Sequence, residues 1–297
     1  MIDSIMDRIK EYGLSIDSLY IQDNDHLDVV IDSSKLHELR SCSKMLVALA
    51  MGIAIDRGLF SLEEIVYPYL EKNISNNRNK DIIKKWTIRT LLTHTTGYNK
   101  MLMSRKEIKE KQLDKSTLLE YVLNVDIENE PNTIYIYNNV EPFIISVLFR
   151  KKHNIDLEQF IKDNIFDKMN IKKYKWDKYG DYCPGCTGLF LLPKDFHKLG
   201  VLIMNDGIFN NNIIVPCNWI REMTKLQVET PNLYNEKRLF PKCGGGYYTF
   251  ISRDGYLFRD GSNGQYIIIN KEKRLVISIM SSEHDMGKIT EIFRGFY

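Results

Sequence analysis

Ser41 and Lys44 stand three residues apart at the mouth of an almost wholly apolar stretch, residues 45–55. On a helix that spacing puts a hydroxyl and an amine on one face. Apolar surroundings favour the neutral form of an amine, the form that takes up a proton, and the positive end of a helix dipole works the same way. The chemistry open to such a pair is activation of a serine oxygen as a nucleophile. A chain of this composition yields about two Ser-x-x-Lys spacings by chance, so the weight of this one rests on its company. Tyr137-Asn138-Asn139 is that company. Its phenol can shuttle the serine proton and hand it to a leaving group, and the Asn139 amide can hold the lysine or a substrate amide.

Other reactive residues read differently. His94 lies in Thr93-His94-Thr95-Thr96-Gly97, and no Gly-x-Ser-x-Gly elbow surrounds any serine, so it is expected to be structural and not part of a Ser-His-Asp triad. Cys42, beside the nucleophile, has nothing nearby in sequence to make a thiolate of it and reads as a small buried residue. Cys183-Pro184-Gly185-Cys186 lacks the strand-to-helix setting of a redox pair and the second pair of ligands of a zinc site, so its thiols are expected to be structural, in a Pro-Gly turn. No metal and no cofactor is expected.

The elements that must position these groups follow from the patterning. Residues 1–10 form an amphipathic helix, and 18–22 with 27–31 form a hairpin around Asp23-Asn24-Asp25-His26. A helix starts near Ser41 and stops at Gly58. The runs 87–125 and 140–169 read mainly as helices with loops between them, and further helices are expected at 194–205, 217–224 and 287–296. Short strands at 246–252, 256–259, 266–270 and 275–281, parted by turn residues, form an antiparallel meander. The expected architecture is α+β. Residues 1–70 and 195–297 build a sheet domain from both ends of the chain, 71–194 form a mainly helical inserted region, and the active site lies between.

Length and charge narrow the classes. The 297 residues carry 41 Lys and Arg against 39 Asp and Glu, with signs alternating instead of gathering into a basic face, so no nucleic-acid partner is expected. No apolar run approaches the roughly 20 residues of a membrane span. The first residues lack the apolar core of a signal peptide, which makes a cytoplasmic protein the expectation, and an odd five cysteines suit free thiols in a reducing compartment. Oligomeric state has no signature here.

Taken in order, these motifs resemble the serine β-lactamase and penicillin-binding-protein superfamily, and within it the class C β-lactamase-like hydrolases and esterases, over about residues 39–282. Ser41-x-x-Lys44 matches the first motif and Tyr137-x-Asn139 the second. Residues 52–58, Val66-x-x-Tyr69-Leu70, Gly188-Leu189, Pro193-x-Asp195 and Leu199-Gly200 are similar to its flanking segments, and 88–97 resembles the stretch that marks the class C-like branch. The third motif departs: Arg259-Asp260-Gly261-Ser262-Asn263-Gly264 keeps the glycines but puts arginine where lysine or histidine is usual. The resemblance implies a β-lactamase/transpeptidase-like fold and an acyl-enzyme on Ser41, with Lys44 and Tyr137 as acid and base. It implies substrate contacts from Asn139, Arg259, Gly261 and Ser262. The oxyanion would meet the N–H groups of Ser41 and Ser262, and Arg259, which keeps its proton, would dock a carboxylate or pair with Asp260. The expected substrate is a small ester, amide or peptide. The alternatives are a D-Ala-D-Ala carboxypeptidase or β-lactamase, or a catalytically silent binding protein. The residues 98–113 and 228–242 are the loops expected to shape the pocket.

Overall fold

The structure is a computed structural model that describes residues 2–230 and 242–295; most of the expected 228–242 loop lies outside the described residues. Its helices are α1 Ile2–Glu11, α2 Ser43–Asp56, α3 Tyr67–Leu70, α4 Asn77–Ile83, α5 Ile88–Leu92, α6 Arg105–Glu110, α7 Leu118–Asn124, α8 Val140–His153, α9 Leu157–Ile161, α10 Pro193–Met204, α11 Cys217–Met223 and α12 Met286–Glu291. Its strands are β1 Ile16–Asp23, β2 His26–Ile31, β3 His37–Glu38, β4 Tyr174–Trp176, β5 Leu189–Leu191, β6 Ile208–Phe209, β7 Asn212–Ile213, β8 Val228–Glu229, β9 Lys242–Gly245, β10 Phe250–Ser252, β11 Leu257–Gly261, β12 Gln265–Asn270 and β13 Leu275–Ser281.

Eight strands make one antiparallel sheet in the order β2-β1-β13-β12-β11-β10-β9-β8, so both ends of the chain do build it. Period two divides the central strands between two cores. Ile267, Ile269, Val276 and Met280 face a large core shared with α2, α8 and α10. Tyr266, Ile268, Leu275, Ile277 and Ile279 face a smaller one closed by Ile5 and Ile9 of α1 and Ile289 of α12. The amphipathic face read at the N-terminus is therefore buried on the sheet. A sheet covered on both faces reads as continuous apolar runs, and β12 and β13 are buried throughout.

α2 is apolar all round because it runs through the large core, with 12 of its 14 residues buried. At Gly52 the indole of Trp219 lies so close that an added Cβ would fall 2.0 Å from its ring, and Trp219 Nε1 donates to Ala48 O at 2.9 Å. That contact locks α11 across the helix that carries Lys44.

Two expectations are corrected. The expected strand 246–252 is interrupted by a turn in which Tyr248 has φ 54°, and β9 and β10 pair across it. The helix expected from Ser41 begins at Ser43, with Ser41 on a preceding 3₁₀ turn, Arg40–Cys42. The run 87–125 forms three short α-helices with loops between them, as its sequence reads. β3, β5 and β4 form a further small sheet of two- and three-residue strands that no periodicity announces.

His197 on α10 is buried on the sheet, with Nδ1 2.9 Å from Ser278 Oγ. Burial lowers its pKa from 6.5 to about 4. The unfolded chain thus takes up a proton at this site as pH falls through about 6.5, while the folded chain resists until about 4. Stability present at neutral pH is lost across that window, by on the order of 3 kcal/mol in full. His197→Gln, compared by urea unfolding at pH 7.0 and 4.5, is expected to lose less stability over this interval than the parent. An equal loss in both would show that His197 does not carry the effect.

Candidate active site

Ser41 is half-buried at the N-terminal approach to α2, and Lys44, in the first turn of that helix, is fully buried. The chain reaches Ser41 through a constrained bend: Arg40 has φ 52°, a left-handed conformation that favours glycine. β11 lies directly against that bend. A Cβ on Gly261 would sit 2.6 Å from Leu39 O and 3.0 Å from Arg40 Cβ, so only glycine lets the strand approach the nucleophile this closely.

Lys44 Nζ donates to Asn139 Oδ1 at 2.6 Å and Tyr137 OH at 3.0 Å, with Ser41 Oγ and Cys186 O each at 3.3 Å. Four oxygens surround a nitrogen that carries at most three protons. Its position is thereby fixed from three parts of the chain: the α2 turn, the segment before α8, and the turn that holds Cys186. The same turn receives a hydrogen bond from Ser43 Oγ to Gly185 O at 3.1 Å.

Tyr137 OH also accepts from Arg259 Nη2 at 2.8 Å. Burial pushes the phenol up, but the charges of Arg259 and Lys44, with hydrogen bonds from Lys44 and Ser41, more than offset this and leave its pKa below the usual tyrosine value. Arg259 points inward from β11. It is 1% exposed, packs over the rings of Phe250 and Tyr137 at 4.8 and 5.2 Å, and donates from Nε to Ser41 O at 3.1 Å. Alternation along β11 explains the direction: Leu257, Arg259 and Gly261 share the face toward α2, while Phe258 joins the smaller core.

Asn139 is committed at both ends of its amide, to Lys44 through Oδ1 and to Met103 O through Nδ2 at 3.1 Å. Asn138, fully buried, accepts from the N–H groups of Leu102, Asn139 and Val140 and donates to Lys100 O. The pair pins the 98–104 loop beside the lysine. Ser262 follows Gly261 at the exposed start of the β11–β12 turn, where its carbonyl accepts from Gln265 Nε2 at 3.4 Å.

The structure thus draws Ser41, Lys44, Tyr137, Asn139 and Arg259 into one hydrogen-bonded group and sets Gly261 against the bend before Ser41. Reading by residue type missed the Cys186 carbonyl, since a backbone oxygen leaves no mark in sequence. It also missed Glu141, fully buried under the site, which accepts from His94 Nδ1 at 3.0 Å and Thr96 Oγ1 at 2.7 Å. Burial pulls the His94 pKa down against the opposing pull of Glu141. Cys42 is buried with Sγ 3.5 Å from Arg259 O, and Cys183 and Cys186 are buried free thiols. No group of three or more His, Cys, Asp or Glu suited to a metal ion occurs among the described residues. Among them, too, no helix is long and apolar enough to cross a membrane.

A profile of the family described as Beta-lactamase matches residues 30–289, which spans the whole of this group. The chain belongs to the beta-lactamase family. Solved structures of similar fold agree with it. A putative 6-aminohexanoate-dimer hydrolase from Bacillus anthracis superposes with TM-score 0.76 at 16% identity, over 96% of this chain and 79% of that one. An octameric penicillin-binding protein homologue from Pyrococcus abyssi gives 0.76 at 16%, over 98% and 75%. EstCE1, a hydrolase with promiscuous acyltransferase activity, gives 0.75 at 12%, over 99% of each chain. Identities this low speak for fold alone. The β-lactamase and penicillin-binding-protein fold, with its helices and antiparallel sheet, places the chain in that superfamily of serine hydrolases.

Proposed function

We propose that this beta-lactamase-family chain is a class C-like serine hydrolase that cleaves a small ester, amide or peptide through an acyl-enzyme on Ser41. The observation that carries the reading is the placement of Lys44 Nζ within 3.3 Å of Ser41 Oγ and 3.0 Å of Tyr137 OH. As Ser41 Oγ attacks the substrate carbonyl carbon, its proton passes to the Lys44–Tyr137 pair. The carbonyl oxygen gains the negative charge and is met by the N–H of Ser41 and, from the end of β11, that of Ser262. Collapse breaks the bond to the leaving group, which receives the proton from Tyr137. Water then adds to the acyl carbon, giving up its proton to the same pair, and the acid departs as Ser41 regains its hydrogen.

Arg259 acts here on Tyr137 rather than on a substrate carboxylate. Its burial and its two hydrogen bonds support this, and they count against the carboxypeptidase and β-lactamase readings, in which a cation at this position meets the substrate. Asn139 acts as a positioning residue for Lys44, both ends of its amide being engaged.

Exposure to a fluorophosphonate probe tests the reading. One adduct is expected by intact mass, located by peptide mapping on the fragment holding Ser41. No adduct on the folded protein, or an adduct on another residue, would overturn it and leave a silent binding protein.

A further inference from the structure

Two of the segments that meet at Lys44, together with the loop that Asn139 pins beside it, meet again one or two residues further on, at Glu38. Arg40, next to Ser41, places Nε 3.2 Å from Glu38 Oε2. Arg105, two residues beyond Met103, donates to Glu38 Oε1. Thr187 and Gly188, directly after Cys186, donate to the same oxygen at 3.1 Å each. Adjacent residues are about 3.8 Å apart along the chain, so this cluster borders the reacting serine. The nearby Asp177 is paired with Lys175 at 3.2 Å. Among the described residues one carboxylate therefore answers two guanidinium groups, which leaves one positive charge over.

That surplus is accessible. The Arg40 side chain is 24% exposed and that of Arg105 49%. Among the described residues, the two Nη atoms of Arg40 and the Nε and Nη1 of Arg105 donate to no protein group. The groups also press on one another: burial lowers the Arg40 pKa, Glu38 raises it and Arg105 lowers it again. Arg40 occupies the left-handed bend at φ 52°, a conformation that strains a non-glycine residue. A long cation is kept at a position where glycine would be free of strain. Meanwhile Arg259, the cation expected to read a substrate carboxylate, is sealed beneath Tyr137.

We propose that Arg40 and Arg105, held by Glu38, form an anion-recognition site at the edge of the cleft and select substrates that carry a carboxylate or phosphate group. The proposal rests on Ser41 being the nucleophile. Glu38 orders both guanidiniums in advance and leaves their outer N–H groups to the substrate, where charge-assisted hydrogen bonds discriminate strongly.

Two matched ester pairs test it: mono-p-nitrophenyl adipate against p-nitrophenyl hexanoate, for an anion in the acyl chain, and 4-acetoxybenzoate against 4-acetoxybenzamide, for one in the leaving group. In at least one pair kcat/KM is expected to favour the anion. Arg105→Gln should cut that preference about tenfold or more, Arg105→Lys should restore part of it, and 0.5 M salt should shrink it. Lys106→Gln, at a neighbouring exposed cation that pairs with Glu110, should leave it unchanged. Turnover of neutral esters with no anion preference in either pair overturns the proposal and leaves the Ser41 reading standing, as does an equal loss on both members of a pair in Arg105→Gln. A folded protein that turns over none of the four esters overturns both.

Discussion

Lys44→Ala should abolish measurable turnover almost as completely as Ser41→Ala, with losses on the order of 10³-fold or more for the first and 10⁴-fold or more for the second. The reason is the crowding around Nζ. Its removal withdraws a proton acceptor from Ser41 Oγ and a hydrogen-bond donor from Tyr137 OH, and it leaves Asn139 Oδ1 and Cys186 O facing an empty space. Unsatisfied buried acceptors cost about 1–3 kcal/mol each, so circular dichroism and urea unfolding must accompany the kinetics. Because residues acting as a unit are non-additive, the double variant should be no slower than Ser41→Ala alone. A folded Lys44→Ala protein that keeps a tenth of the parent rate would rule out the lysine as acid or base.

Arg259→Gln should move the acidic limb of the kcat/KM profile to higher pH and slow turnover at neutral pH by about 10²-fold. The sign follows from the pKa of Tyr137. Burial raises it, and the guanidinium is the largest of the opposing influences that bring it below its usual value. With the charge removed the phenol holds its proton to higher pH, and the fraction able to accept the serine proton falls at every pH below that limb. Arg259→Lys keeps the charge but lacks the fork that reaches Ser41 O and Tyr137 OH together, so its limb should lie between the two. A uniform drop in rate with the limb unmoved would make Arg259 a purely structural prop.

Side-chain spacing made much of this legible. Ser41 and Lys44 were three residues apart at the start of an apolar run, and the run became a helix buried along its length. Short β-branched and aromatic runs at 266–270 and 275–281, parted by turn residues, announced β12 and β13, whose side chains divide between the two cores. Other features left no signal of this kind. β3, β4 and β5 are too short to show a period, and Gly244 to Gly246 gave no hint that a turn would part β9 from β10. The inward aim of Arg259 depends on which face of β11 meets α2, which pairing across the sheet decides. Glu38 looked like one acidic residue among 39, and became a junction only when Arg40, Arg105 and Thr187 were folded onto it.

The bond from Arg259 Nε to Ser41 O joins residues 218 apart in the chain, and β1 finds its central neighbour in β13, near the opposite end. A ribosome therefore makes the serine early and its supports last. Loop closure over such separations is slow, and α2, with its apolar surface, must wait for the later strands to cover it. Each nascent chain passes through an interval in which that surface is open to aggregation and to chaperones. The hydrogen-bonded group around Ser41 is complete only once β11 has been made and paired, so any activity recovered after dilution from denaturant reports closure of the whole sheet rather than the folding of any part.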